Sequence, residues 1–124
     1  KNKKAFFMSP SLRRALLSTL YGQHLPDQFR SKLIEDIIVM YLKRVLTDGM
    51  ISFISGNDEV NPDFVIETRD KPILLEIGTK KTSLRQLTKS NVNDRYGLLI
   101  SNGVAEPSLK GNCIHIPLSG FLLL

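Results

Sequence analysis

The chain is poor in the residues that build soft-metal and disulfide chemistry. It has one cysteine, Cys113, and two histidines, His24 and His115. A single thiol excludes an internal disulfide and a multi-cysteine zinc site. Two histidines argue against a histidine-rich metal centre. No apolar run approaches the ~20 residues needed to span a bilayer, and nothing resembles a signal peptide. No membrane partner is therefore expected, and a cytoplasmic address follows by default. Repeats, low-complexity tracts and a dividing linker are also absent. At 124 residues the expectation is one domain, 1–124, long enough to bury a single core. The chain opens Lys-Asn-Lys-Lys, without an initiating methionine, and reads as a fragment cut from something longer.

Positive charge is what the chain has in excess. Seventeen basic residues against twelve acidic give a net charge of +5. That balance suits an anionic partner such as nucleic acid, although many basic proteins bind none. Hydrophobic content of 42% and charged content of 23% are ordinary for a soluble globular chain.

The acidic residues are the more informative. Two aliphatic runs, Asp63 to Glu67 and Pro72 to Ile77, flank a polar Thr-Arg-Asp-Lys tip, the pattern of a β-hairpin with a four-residue loop. If Glu67 pairs with Pro72, Asp63 falls opposite Glu76. Phe64, Ile66, Ile73, Leu75 and Ile77 then point to one face, and Asp63, Val65, Leu74 and Glu76 to the other. Carboxylates opposed across a strand pair repel at a cost of roughly 0.2–1 kcal/mol. A divalent cation would convert that repulsion into coordination, since hard cations take carboxylate oxygens. The competing reading is a slipped register with both acids in water.

Two helices precede the hairpin. Ser9-Pro10 reads as an N-cap followed by a first-turn proline. This helix would carry Leu12, Leu16, Leu17 and Leu20 inward and Arg13 and Arg14 outward, ending near Gly22. Pro26 opens a longer helix to about Leu46, with apolar residues at helical spacing from Phe29 to Leu46. Glu35 interrupts its stripe, lying in line with Ile38, Val39, Leu42 and Leu46. A lone buried carboxylate costs several kcal/mol unless paired or bound to metal; at the stripe's edge it would simply reach water. Asp36 points elsewhere in this reading.

Beyond the Asp48-Gly49 turn, Met50 to Ser55 reads as a first strand, and the hairpin supplies the second and third. Ser83-Leu-Arg-Gln86 is a capping box starting a helix to about Ser90. Tyr96 to Ser101 is an apolar strand of the kind buried in a parallel pair, and Cys113 to Ile116 is a shorter one. Leu118-Ser-Gly-Phe-Leu-Leu-Leu forms a short apolar terminal helix or tail. The predicted class is α/β, a mixed sheet flanked by helices, with a right-handed crossover joining strands three and four.

Glu35 on a first helix, Pro62-Asp63 at a strand start, Glu76 on the next strand and a nearby lysine resemble the PD-(D/E)xK nuclease superfamily. The element order αβββαβ, the restriction-endonuclease-like core with an extra N-terminal helix, resembles it as well. Ala5-Phe-Phe-Met-Ser-Pro-Ser-Leu-Arg-Arg-Ala-Leu-Leu, followed by Leu33-Ile-Glu-Asp-Ile-Ile-Val-Met-Tyr-Leu, is similar to the carboxy-terminal domain of a family of prokaryotic AAA-type ATPases. No Gly-rich loop ending in Gly-Lys-Ser/Thr occurs here, so the nucleotide site would lie on an ATPase domain outside this fragment.

The resemblance implies Asp63 and Glu76 as ligands for Mg²⁺ or Mn²⁺, Glu35 as an auxiliary carboxylate, and DNA as the partner. It also implies a lysine two residues after the glutamate, where this chain has Gly78. Lys80 is two residues further, ~6.6 Å along a strand, a distance comparable with the reach of its side chain. The implied chemistry is metal-assisted phosphodiester hydrolysis, with Lys80 orienting water or stabilising the transition state. The alternative is a site that lost catalysis and kept the fold as a binding module. Gln86 is explained by the capping box. Arg85 and Lys89 are candidates for phosphate contact, or for a solvated basic face.

Overall fold

The computed structural model describes residues 9–47, 50–52, 61–79, 83–84, 87 and 95–123. The chain divides into two compact units, Lys1–Thr47 and Asp48–Leu124. Among the described residues no helix is long and apolar enough to cross a membrane. The expected segment Ala5–Met8 and the expected strand beyond Ser52 lie outside the described residues.

The first unit is a pair of helices, α1 (Pro10–Tyr21) and α2 (Asp27–Val45). Ser9 caps α1 as the sequence predicts, its Oγ accepting the Leu12 N–H at 3.4 Å, with Pro10 in the first turn. In α2, Asp27 in the first turn and Lys43 and Arg44 in the last complement the helix dipole. Glu35, Ile38, Val39 and Leu42 are all buried, as the spacing of that stripe requires.

Two expectations for this unit are corrected. Three of the four α1 leucines do not point inward: Leu12, Leu16 and Leu20 are 52%, 48% and 75% exposed, while Leu17 is half-buried. Instead α1 engages α2 through Arg13, which grips Asp36, and through Tyr21, whose ring lies 5.0 Å from that of Phe29. Asp36, which lies off the Glu35 stripe and is expected to need no partner, is 1% exposed. Helical spacing identifies an apolar stripe, but it cannot register a second buried stripe made of one acid and a partner 23 residues away.

The second unit is a six-stranded mixed sheet in the order β1-β2-β3-β4-β6-β5. Its strands are β1 (Ile51–Ser52), β2 (Phe64–Ile66), β3 (Ile73–Gly78), β4 (Tyr96–Ser101), β5 (Ser108–Lys110) and β6 (Cys113–Pro117). A short α3 (Leu118–Leu122) follows and packs on β4 and β6. The chain is thus α/β. The β2–β3 hairpin adopts the predicted register, Phe64↔Leu75 and Ile66↔Ile73. Thr68 closes its tip by donating to the Lys71 carbonyl at 2.7 Å and accepting the Asp70 N–H at 3.2 Å. The β4 strand has its predicted limits and lies parallel to both β3 and β6, which explains its unbroken apolar character.

Register separates the two faces. On one side, Val65, Leu74, Leu99 and Cys113 form a core with Leu87, and Leu84 packs against it. The predicted helix from Ser83 to about Ser90 is otherwise outside the described residues. On the other side stand Phe64, Leu75, Ile77 and Ile100, all buried, as strand alternation dictates.

One strand was not expected. β5 is a three-residue edge strand joined to β6 by Gly111-Asn112, with Lys110 paired to Cys113. Gly111 has φ +59°, the left-handed backbone that a two-residue hairpin turn demands.

Candidate functional site

The polar chemistry of the sheet lies on the face that carries Val65, Leu74 and Leu99. Continuing the β2–β3 register one step beyond Phe64↔Leu75 brings Asp63 opposite Glu76, as the sequence predicts. The two acids are joined reciprocally. The Asp63 N–H donates to Glu76 Oε2 at 3.2 Å, and the Ile77 N–H donates to Asp63 Oδ2 at 2.8 Å. Each carboxylate therefore takes a backbone donor from the other's strand. A hydrogen bond to a charged acceptor contributes about 1.5–3 kcal/mol, more than the expected cross-strand repulsion of roughly 0.2–1 kcal/mol. Glu76 is 0% exposed and Asp63 is half-buried.

The other expected site residues are placed as follows. Glu35 belongs to the helical unit, where Lys32 Nζ sits 3.2 and 3.1 Å from its two carboxylate oxygens. Its burial is thus offset by a cation one turn away. Lys80, Arg85 and Lys89 lie outside the described residues, as does Gln86. Gly78 ends β3. Among the described residues, no three His, Cys, Asp or Glu side chains form a group able to hold a metal ion.

The same sheet face carries a pair that the sequence reading passed over. Glu76 is in register with Leu99, and Leu99 with His115. The row of Asp63 and Glu76 therefore continues across two strands to a histidine. His115 Nε2 and Ser101 Oγ lie 2.7 Å apart, and Ser101 Oγ accepts the Gly103 N–H at 3.1 Å. Both residues are buried, His115 to 5% exposure. Its alternation with Cys113 on β6 signals a shared face, but only the β4–β6 register brings it to Ser101.

Burial pushes the His115 imidazole below its ordinary value near 6.5. The folded state then binds fewer protons than the unfolded one in the window just below that value, so stability rises with pH there. The contribution of neutral His115 is fully present above about pH 6.5 and is lost as pH falls through the folded value. Melting temperatures from pH 8 to 5 are expected to fall on the acid side. The fall should be smaller for His115→Gln; an unchanged profile in that variant would assign the acid sensitivity to other groups.

Comparison with known proteins gives a narrow result. No protein-family model matches the chain, and no solved structure matches it. The chain is similar to the uncharacterised protein MJ1637 of Methanocaldococcus jannaschii, at 29% identity over 127 residues. That match covers 100% of this chain and 26% of the archaeal protein, so the chain spans about a quarter of its relative's length.

Proposed function

We propose that the sheet unit is a nuclease-like domain in which Asp63 and Glu76 hold Mg²⁺ or Mn²⁺ for hydrolysis of a DNA phosphodiester bond. The observation that supports this reading is the in-register meeting of the two acids, distant in sequence, on adjacent strands. Their donors are hard oxygens, the kind these cations take. A carboxylate offers about four lone-pair directions, so the N–H that each accepts from the opposite strand leaves capacity for a cation. Bound there, the ion would supply a water of lowered pKa and offset the phosphate charge.

The protein's own part is positional. Backbone N–H groups of Asp63 and Ile77 hold the carboxylates in fixed orientations. Fixed charges need no reorganisation when charge develops at the phosphate. Lys80 is assigned the amine role, the place two residues after Glu76 being taken by Gly78. The similarity of the segments around Ser9 and Glu35 to AAA-type ATPase carboxy-terminal domains adds an ATPase setting to the proposal.

A second reading, a non-catalytic module that binds DNA or partner proteins, is favoured by the complete burial of Glu76 and by Gly78. Calorimetric titration with Mg²⁺ or Mn²⁺ separates the two. The nuclease reading expects one site, lost in Glu76→Ala, and metal-dependent nicking of supercoiled DNA, lost in Asp63→Ala. No heat and no nicking would leave the binding module.

A further inference from the structure

We infer that the cavity walled by His115, Ser108, Lys110 and Ser83 seats a phosphate group of a nucleic-acid strand, beside the phosphate that the carboxylates address. The cavity holds about 430 Å³ and is closed by Leu84, Val104 and Cys113. Among the described residues, no carboxylate lines it. In the β5–β6 register Ser108 lies opposite His115 and Lys110 opposite Cys113, so the hydroxyl, the ammonium and the imidazole belong to one face.

The imidazole is pre-set for this use. Ser101 is fixed by the Gly103 N–H and engages Nε2, which leaves Nδ1 as the ring nitrogen open to a ligand. Among the described residues Nδ1 has no hydrogen-bond partner, and Lys110 has no acidic one. Nδ1 is not sealed from solvent, so an acceptor oxygen in the cavity replaces water on a ring whose other nitrogen is already anchored. Hydroxyl, ammonium and imidazole converging without a carboxylate select an anion rich in acceptor oxygens.

Spacing decides which phosphate it is. His115 stands two strands from Glu76 in the same row, roughly 10 Å at ~4.8 Å per strand. With Leu99 standing between them, the two side chains address different places on the face, and we assign the cavity to a neighbouring phosphate of the same strand. Naming the strand as nucleic acid rests on the nuclease reading; the anion site itself does not.

The test uses the whole chain, without divalent metal, and a fluorescent single-stranded oligodeoxynucleotide read by anisotropy across a salt series. Lys110 is exposed, so Lys110→Gln leaves the fold intact. It is expected to weaken binding about fivefold at low salt and to reduce the salt slope by about one. In parallel, the imidazole ¹⁵N resonances of His115 should shift on adding the oligonucleotide. Unchanged affinity in Lys110→Gln together with unmoved His115 resonances would overturn the proposal. A response of His115 to inorganic phosphate but not to the oligonucleotide would also overturn it, reducing the cavity to a small-anion site. Glu76→Ala keeps the two claims apart: it should retain binding and lose nicking. Nicking that persists in Glu76→Ala would end the nuclease reading while the anion site stood.

Discussion

Arg13→Ala is expected to lower stability by about 3–5 kcal/mol, the usual cost of removing one partner from a buried ion pair. Asp36 is nearly inaccessible, and Arg13 meets it with two guanidinium nitrogens; Nη2 donates to Oδ1 at 3.2 Å and Nε lies against Oδ2. The pair joins one charge-assisted hydrogen bond to a second close contact of opposite charges, which makes it stronger than a neutral pair. Without Arg13, Asp36 keeps its desolvation cost and loses the guanidinium that lies against it. With total stabilities of about 5–15 kcal/mol typical, such a loss is a large fraction of the whole. Urea unfolding measures it. Arg13→Lys should fall between, since an ammonium supplies charge without the fork. The double replacement Arg13→Met with Asp36→Leu should lose far less than Arg13→Ala alone. If the double variant is as unstable as the single, the pair acts through its shape, and the charge argument fails.

Gly97→Ala should cost about 1–3 kcal/mol by overpacking. A Cβ at that position would lie 2.5 Å from Cys113 Sγ and 3.3 Å from both Cys113 Cβ and Leu87 Cβ. β4 is held by ladders on both sides, to β3 and β6, so it cannot retreat without disturbing one of them. The sulfur is the hard contact, whereas the 3.3 Å neighbours need to give only slightly. Cys113→Ala placed in the Gly97→Ala background is therefore expected to restore most of the loss in melting temperature. A single variant as stable as the parent would mean that the Cys113 side chain turns aside at no cost.

Neither position is announced by the sequence. Gly97 is the second residue of an apolar strand, and nothing local marks it as the place where a thiol crosses from β6. Arg13 and Asp36 each look like ordinary exposed charges at helical spacing. The anion cavity was equally hidden, because Lys110, Cys113 and His115 converge only once β5 folds back. The signal for that fold-back was in the text of the chain: Gly111-Asn112 is a two-residue hairpin dipeptide. Ser108-Leu109-Lys110 beside it shows no alternation, being a strand too short and too exposed to have a period.

What the sequence alone determined is local or strictly periodic. Ser9-Pro10 set the start of α1, the Glu35–Leu42 spacing set the buried stripe of α2, and the apolar run of β4 set its limits. The hairpin tip set the register that brings Asp63 to Glu76, because a turn of fixed length leaves the strands one way to pair. Tertiary structure alone decided which polar groups are buried together, Arg13 with Asp36 and Ser101 with His115. Those pairs join residues 23 and 14 positions apart through packing between elements, and no periodicity within one element encodes a partner on another.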